Sequence, residues 1–159
     1  MKTIDKKNIE RYLKIYQPEY RFLDKIQIEY PHINATFKIS PTFYTRLKLN
    51  HVSEVEMQLC LNQMAYIGFM EARKENKIPS LDSSKYIESP FNKMIIAASE
   101  KRFRKMISSK EEIHGSLEFK GTYNLSNKTF VFTEFDFEKG KCTGKLNLVV
   151  IYGNEKRIF

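Results

Sequence analysis

The stretch "LNHVSEVEMQLCLNQMAYIGFMEARKEN", Leu49 to Asn76, decides the fold. Most of it reads as one helix. Apolar residues recur on more than one side, so this helix needs cover from several directions. Ser53-Glu54-Val55-Glu56 opens it as a capping box: the Ser side chain accepts from the backbone N–H three residues on, and Glu56 reaches back. The helix is expected to run to about Asn76, where "NKIPSLDSS" breaks it. Down one face, four residues apart, runs a polar row of Glu54, Gln58, Asn62 and Tyr66. A helix that otherwise wants burial is carrying hydrogen-bonding groups, none of them strongly nucleophilic.

Before this helix, Ile9, Tyr12, Leu13 and Tyr16 form the stripe of an amphipathic helix that Pro18 ends. "YRFLDKIQIEY" then alternates as a strand, with Asp24 as the exception, and "PHIN" turns it into "ATFKIS". Residues 42–52 have no clean period and read as a loop. After the helix the pattern is mostly strands. "FNKMIIAASEKRF" is apolar and then basic, "HGSLEFKGTYN" puts Leu117, Phe119 and Tyr123 on one face, and "CTGKLNLVVIY" alternates Leu146, Leu148, Val150 and Tyr152. In "TFVFTEFDFE" the aromatic spacing slips between Phe132 and Phe135, which predicts a β-bulge near Thr133 or Glu134. The expectation is α+β, an antiparallel sheet curling around one long helix.

The chain has 159 residues, enough for one domain with its own core, and no internal repeat divides it. Apolar residues make up 42% and charged residues 29%, the balance of a globular chain. Cys60 and Cys142 stand alone, without a CxxC spacing, and read as buried, reduced thiols. His32 and His114 lack ligand-like neighbours, so no metal and no cofactor are expected. No signal-like segment begins the chain and no apolar run reaches the ~18 residues of a membrane span, so a cytoplasmic protein is expected. The net charge of +8 fits a phosphate-bearing small molecule, a carrier protein, nucleic acid or an anionic membrane surface. The aromatics interleaved with Lys and Arg follow strand alternation, so they suggest core plus surface and no nucleic-acid partner is expected.

The helix motif resembles the FcoT-like acyl-thioester enzymes of the hot-dog superfamily. His51, Val55-Glu56-Met57, Cys60-Leu61-Asn62-Gln63 and Tyr66 carry the likeness, and "SEKRFRKMI" is similar to that family's basic strand. The resemblance implies a hot-dog domain over residues 1–159 acting on fatty acyl thioesters of coenzyme A or acyl carrier protein. It also implies a site of Tyr and Asn side chains without a Ser-His-Asp triad. Asn62 matches the family's helix Asn. A second family Asn falls on Ser53, a departure. A loop Tyr falls on Tyr44, and an N-terminal Tyr on Tyr12, Tyr16 or Tyr20.

These positions give the candidates. Asn62, Tyr66 and Tyr44 are donors for a thioester oxygen, where charge develops in acyl transfer. His51 is a proton shuttle at neutral pH. Ser53 is either a site residue or a plain helix cap. Gln58, Arg102 and Arg104 are candidates for substrate contact, the arginines through phosphates. Each has a bland alternative: Asn62 satisfied by a neighbouring strand, Tyr66 a core ring, Tyr44 a packed loop aromatic, His51 bonded to backbone, and the arginines solvated edge charges. Thioester hydrolysis is the leading activity. The alternatives are glycine addition to an α,β-unsaturated acyl thioester, as in isonitrile lipopeptide synthesis, and non-catalytic lipid or nucleic-acid binding. Open sheet edges predict a homodimer or larger homo-oligomer.

Overall fold

The computed structural model describes residues 1–40, 44–47, 49–78 and 94–151. The N-terminal segment is a short strand β1 (Lys2–Thr3) and a seven-residue helix α1 (Lys6–Tyr12). Asp5 caps α1 by accepting from the Asn8 N–H. The stripe read as a longer helix is α1 followed by two 3-10 turns, Leu13–Ile15 and Pro18–Tyr20. Ile9 and Leu13 are buried, while Tyr12 and Tyr16 pack half-buried against the same core.

A hairpin of β2 (Leu23–Glu29) and β3 (His32–Phe37) follows. Its register shifts between Leu23 and Lys25, leaving Asp24 as the extra residue that the alternation flagged. Helix α2 (Glu54–Lys74) comes next, with both halves of the capping box formed between Ser53 and Glu56. It ends at Lys74, and Asn76 takes the left-handed conformation that closes many helices (φ 54°). Among the described residues four strands follow: β4 (Met94–Phe103), β5 (Ile113–Leu125), β6 (Lys128–Phe137) and β7 (Cys142–Ile151).

All seven strands form one antiparallel sheet in the order β1-β2-β3-β5-β6-β7-β4. One core cluster joins Ile9 and Leu13, the inward side chains of the sheet, and α2 residues such as Met57, Leu61, Met64, Ile67 and Phe69. With Gln63 and Tyr66 also buried, burial extends around most of the helix, which explains its little amphipathic contrast. A Cβ on Gly68 would meet the tip of the Ile33 side chain, so a larger residue there would require Ile33 to move. Cys60 and Cys142 are free and buried; burial pushes both thiols up, Cys142 to about 11. Such thiols are unreactive at neutral pH.

The bulge expected on β6 lies on its partner. Thr129, Val131, Thr133, Phe135 and Phe137 are all buried in clean alternation, so β6 runs straight. The aromatics change face because Val131 and Thr133 take the inward positions. The extra residue is Lys120 on β5, between the pairs Phe119↔Thr133 and Gly121↔Phe132. It turns Tyr123 outward, beside Phe130 and away from Leu117 and Phe119. A third register shift leaves Ala97 of β4 as an extra residue, between Ile96↔Leu148 and Ala98↔Asn147. Tyr152 lies outside the described residues.

Candidate active site

The polar row on α2 sinks into the molecule along its length. Glu54 is exposed, Gln58 and Asn62 are half-buried, and Tyr66 is 4% exposed. The row ends at a cavity of about 210 Å³. Tyr16, Asn62 and Tyr66 provide its polar wall; Ile15, Ala65, Met94, Ile96 and Leu148 provide the rest. Of the three N-terminal tyrosines, Tyr16 lines this cavity. Tyr12 sits behind it, edge-on to the Tyr66 ring at 6.2 Å between centroids. Tyr20 contributes only a backbone carbonyl to a clamp made by Gln63. That buried amide accepts from the N–H groups of Phe22 and Leu23, both at 3.0 Å, and donates to the Tyr20 carbonyl at 2.6 Å. The clamp ties the N-terminal segment to α2 and so helps bring Tyr16 to Asn62.

Behind the cavity, Tyr12 donates to Glu71, and Lys74 donates to both of them. Lys2 reaches Glu71 at 2.7 Å. Burial alone would raise the Glu71 carboxyl. The hydrogen bonds from Lys2, Lys74 and Tyr12 outweigh it and hold the group down at about 2. Burial pushes the phenols of Tyr66 and Tyr16 up, so both stay protonated at neutral pH and can donate.

The Ala97 bulge explains how β4 serves two environments. Met94 and Ile96 line the cavity on one side of the bulge. Past it, the inward side passes to Ser99 and Lys101, which meet the polar row. Ser99 Oγ donates to Gln58 Oε1 at 3.2 Å, and Lys101 Nζ lies 2.8 Å from Glu54 Oε1. Gln58 Nε2 donates to Asn62 Oδ1 at 2.6 Å. Gln58 therefore touches Asn62 and is not among the cavity-lining residues.

The other candidates lie elsewhere. The Tyr44 and Ser53 hydroxyls share a hydrogen bond of 2.6 Å at the start of α2. Ser53 lies nine positions before Asn62, about 13 Å of helical rise, and neither Tyr44 nor Ser53 lines the cavity. His51 is exposed and pairs in an isolated bridge with Ser108. Arg102 and Arg104 line a separate groove of about 680 Å³ on the outer face of the sheet, together with Glu100, Glu118, Glu134 and Asp136. With Lys145 also in its lining, this groove carries side chains of both signs. Among the described residues, no cluster of His, Cys, Asp or Glu is arranged to hold a metal ion. Tyr16 could not be chosen from the sequence because three tyrosines share the segment.

The FcoT-like thioesterase domain matches residues 11–150. The chain belongs to this family. The match spans the central helix with Asn62 and Tyr66, the clamp at Gln63, and the strands from β2 to nearly the end of β7. No curated protein matches the sequence significantly. Solved structures agree on the hot-dog fold. A thioesterase from Pseudomonas aeruginosa superposes with a TM-score of 0.60 at 8% identity, covering 96% of this chain and 97% of that one. A Haemophilus influenzae thioesterase gives 0.57 at 12% identity, covering 98% and 96%. A hypothetical thioesterase from Streptococcus pneumoniae, solved with coenzyme A, gives 0.52 at 9% identity, covering 95% and 100%. At these identities the likeness to solved structures speaks for the fold, and membership in the FcoT-like family rests on the sequence match. In the described part of this member, no helix is long and apolar enough to cross a membrane.

Proposed function

We propose that this single hot-dog domain is a cytoplasmic enzyme that hydrolyses fatty acyl thioesters of coenzyme A or acyl carrier protein. One observation carries the reading: an amide and two protonated phenols, Asn62, Tyr16 and Tyr66, meet at a cavity whose remaining lining side chains are apolar. Membership in a thioesterase family supports the same chemistry. The acyl carbonyl sits against these donors and the alkyl chain against Met94, Ile96 and Leu148. Water adds to the carbonyl carbon, and the Asn62 N–H with a phenol O–H stabilises the oxygen as it becomes negative. The C–S bond then breaks, the thiolate takes up a proton, and a fatty acid is released.

The active form is a homodimer or a larger homo-oligomer. Strand β4 ends the sheet, and Ile95 and Ile96 on it are 50% and 39% exposed. Ile96 also lines the cavity, so a second copy paired along β4 covers this edge and extends the wall. Light scattering at micromolar concentration should give a mass above the 18.9 kDa of one chain; a monomer alone would remove the dimer.

Mass spectrometry of products tests the activity. Acyl-CoA and enoyl-carrier substrates of several chain lengths are incubated with and without glycine. Free fatty acid and free thiol in both arms support hydrolysis. A glycine adduct on the intact enoyl thioester would replace hydrolysis with conjugate addition, which also needs a polarised carbonyl. No turnover, with salt-dependent binding to lipid or DNA, would point to a binding protein.

A further inference from the structure

Asn62 acts as a donor only if its amide nitrogen, and not its oxygen, faces the cavity. The cavity does not decide this. Its other polar groups are phenols, which accept as well as donate. The orientation is set outside it, by a run of hydrogen bonds along the seam between α2 and β4. Lys101 Nζ donates to Ser99 Oγ at 3.0 Å, Ser99 Oγ donates to Gln58 Oε1 at 3.2 Å, and Gln58 Nε2 donates to Asn62 Oδ1 at 2.6 Å.

The sign of this run follows from its first member. A lysine ammonium has three donors and no acceptor. It draws the oxygen end of Gln58 to its side, which turns the Gln58 nitrogen toward Asn62. The Asn62 oxygen is then occupied, and its NH2 is left for the cavity. Lys101 is well placed to hold this order. Its side chain is 9% exposed and its ammonium is anchored by Glu54. Each bond in such a run polarises the next, so the cation also makes the Asn62 N–H a better donor.

We propose that Lys101, Ser99 and Gln58 are positioning residues that orient the Asn62 amide and hold its NH2 toward the substrate carbonyl. The inference rests on Asn62 as the thioester donor. It assigns work to the first two members of the polar row, which do not line the cavity. It also gives the Ala97 bulge a consequence: it brings Ser99 and Lys101 to the α2 side of β4.

Gln58→Glu tests the relay because it reverses one link. A carboxylate only accepts, so the Asn62 NH2 turns toward residue 58 and the Asn62 oxygen turns to the cavity. Thiol release from palmitoyl-CoA should show kcat falling on the order of a hundredfold, as in Asn62→Ala, with KM little changed. Gln58→Met frees the amide without reversing it and should lose less. Lys101→Met should also lose less than Gln58→Glu, and Lys101→Arg should recover most of the rate. Melting temperatures of all variants separate these effects from misfolding. A second readout does not depend on turnover. The Asn62 side-chain NH2 signals in a 1H–15N spectrum, identified by their loss in Asn62→Ala, should move downfield in Gln58→Glu and exchange more slowly with solvent. Unmoved signals overturn the relay, whatever the rates. A kcat for Gln58→Glu no lower than for Gln58→Met, beside an inactive Asn62→Ala, overturns it too and leaves Asn62 as the donor. Wild-type kcat in Asn62→Ala would instead remove Asn62 from the chemistry, while the spectrum still decides the orientation.

Discussion

At the start of α2, Ser53 shares a hydrogen bond with the exposed Tyr44 and exchanges two with the buried Glu56. Nine residues on, Asn62 and Tyr66 face a cavity with Tyr16. Both places combine short polar side chains with a tyrosine. At the first, the groups serve the helix end, whose orphan N–H donors need acceptors. At the second the backbone donors are already used within the helix, and the side chains line a cavity instead of closing a helix end. Position along a helix thus separates a cap from a site built of similar residues.

The sharpest way to break this comparison is to remove one group from each place and compare rate with stability. Asn62→Ala should lower kcat about a hundredfold while the melting temperature changes little, the usual scale for one lost oxyanion donor. Equal losses of rate and stability would make Asn62 structural. Glu71 supports the cavity from behind through Tyr12, and Glu71→Gln should cost about 2 kcal/mol, since it replaces charge-assisted hydrogen bonds with neutral ones. Its effect should depend on pH. The Glu71 carboxyl is held at about 2 against an ordinary 4.5. A depressed acid stabilises the fold above its unfolded value, so that contribution should fade as pH drops from about 4.5 to about 2. Denaturation curves of wild type and Glu71→Gln should converge over that window; parallel curves would show that Glu71 is not the group responsible.

Tyr66→Phe keeps the ring against Tyr12 and removes only the hydroxyl. It should cut kcat by roughly tenfold or more if the hydroxyl serves the carbonyl. An unchanged kcat/KM would leave Tyr66 as a core ring. At the other end of α2, Ser53→Ala should cost about 1 kcal/mol in denaturant unfolding through the lost cap, with kcat nearly unchanged. A large drop in kcat there would restore Ser53 and Tyr44 to the site. Tyr44→Phe should have the smallest effect, because its hydroxyl meets Ser53 at an exposed position.

Local chemistry was legible in the sequence. The capping box at Ser53 and Glu56 reports a helix start because both partners lie within three residues of each other. The all-round apolar pattern of α2 reports burial, and the period-two runs of β6 and β7 report strands with one face inside. The motif around Asn62 and Tyr66 pointed to the family for the same reason, being a spacing along one helix. Tertiary structure decided what depends on residues far apart in the chain. Tyr16 was one of three tyrosines until the Gln63 clamp tied its segment to α2, a contact spanning some forty positions. Strand alternation set Arg102 and Arg104 on the outer face, in a groove with Lys145 and carboxylates of β4, β5 and β6. The bulges at Ala97 and Lys120 changed which side chains face inward, because one unpaired residue inverts the period-two pattern beyond it. Strand partners and extra residues are settled by pairing across the sheet, and no local run of sequence carries that information.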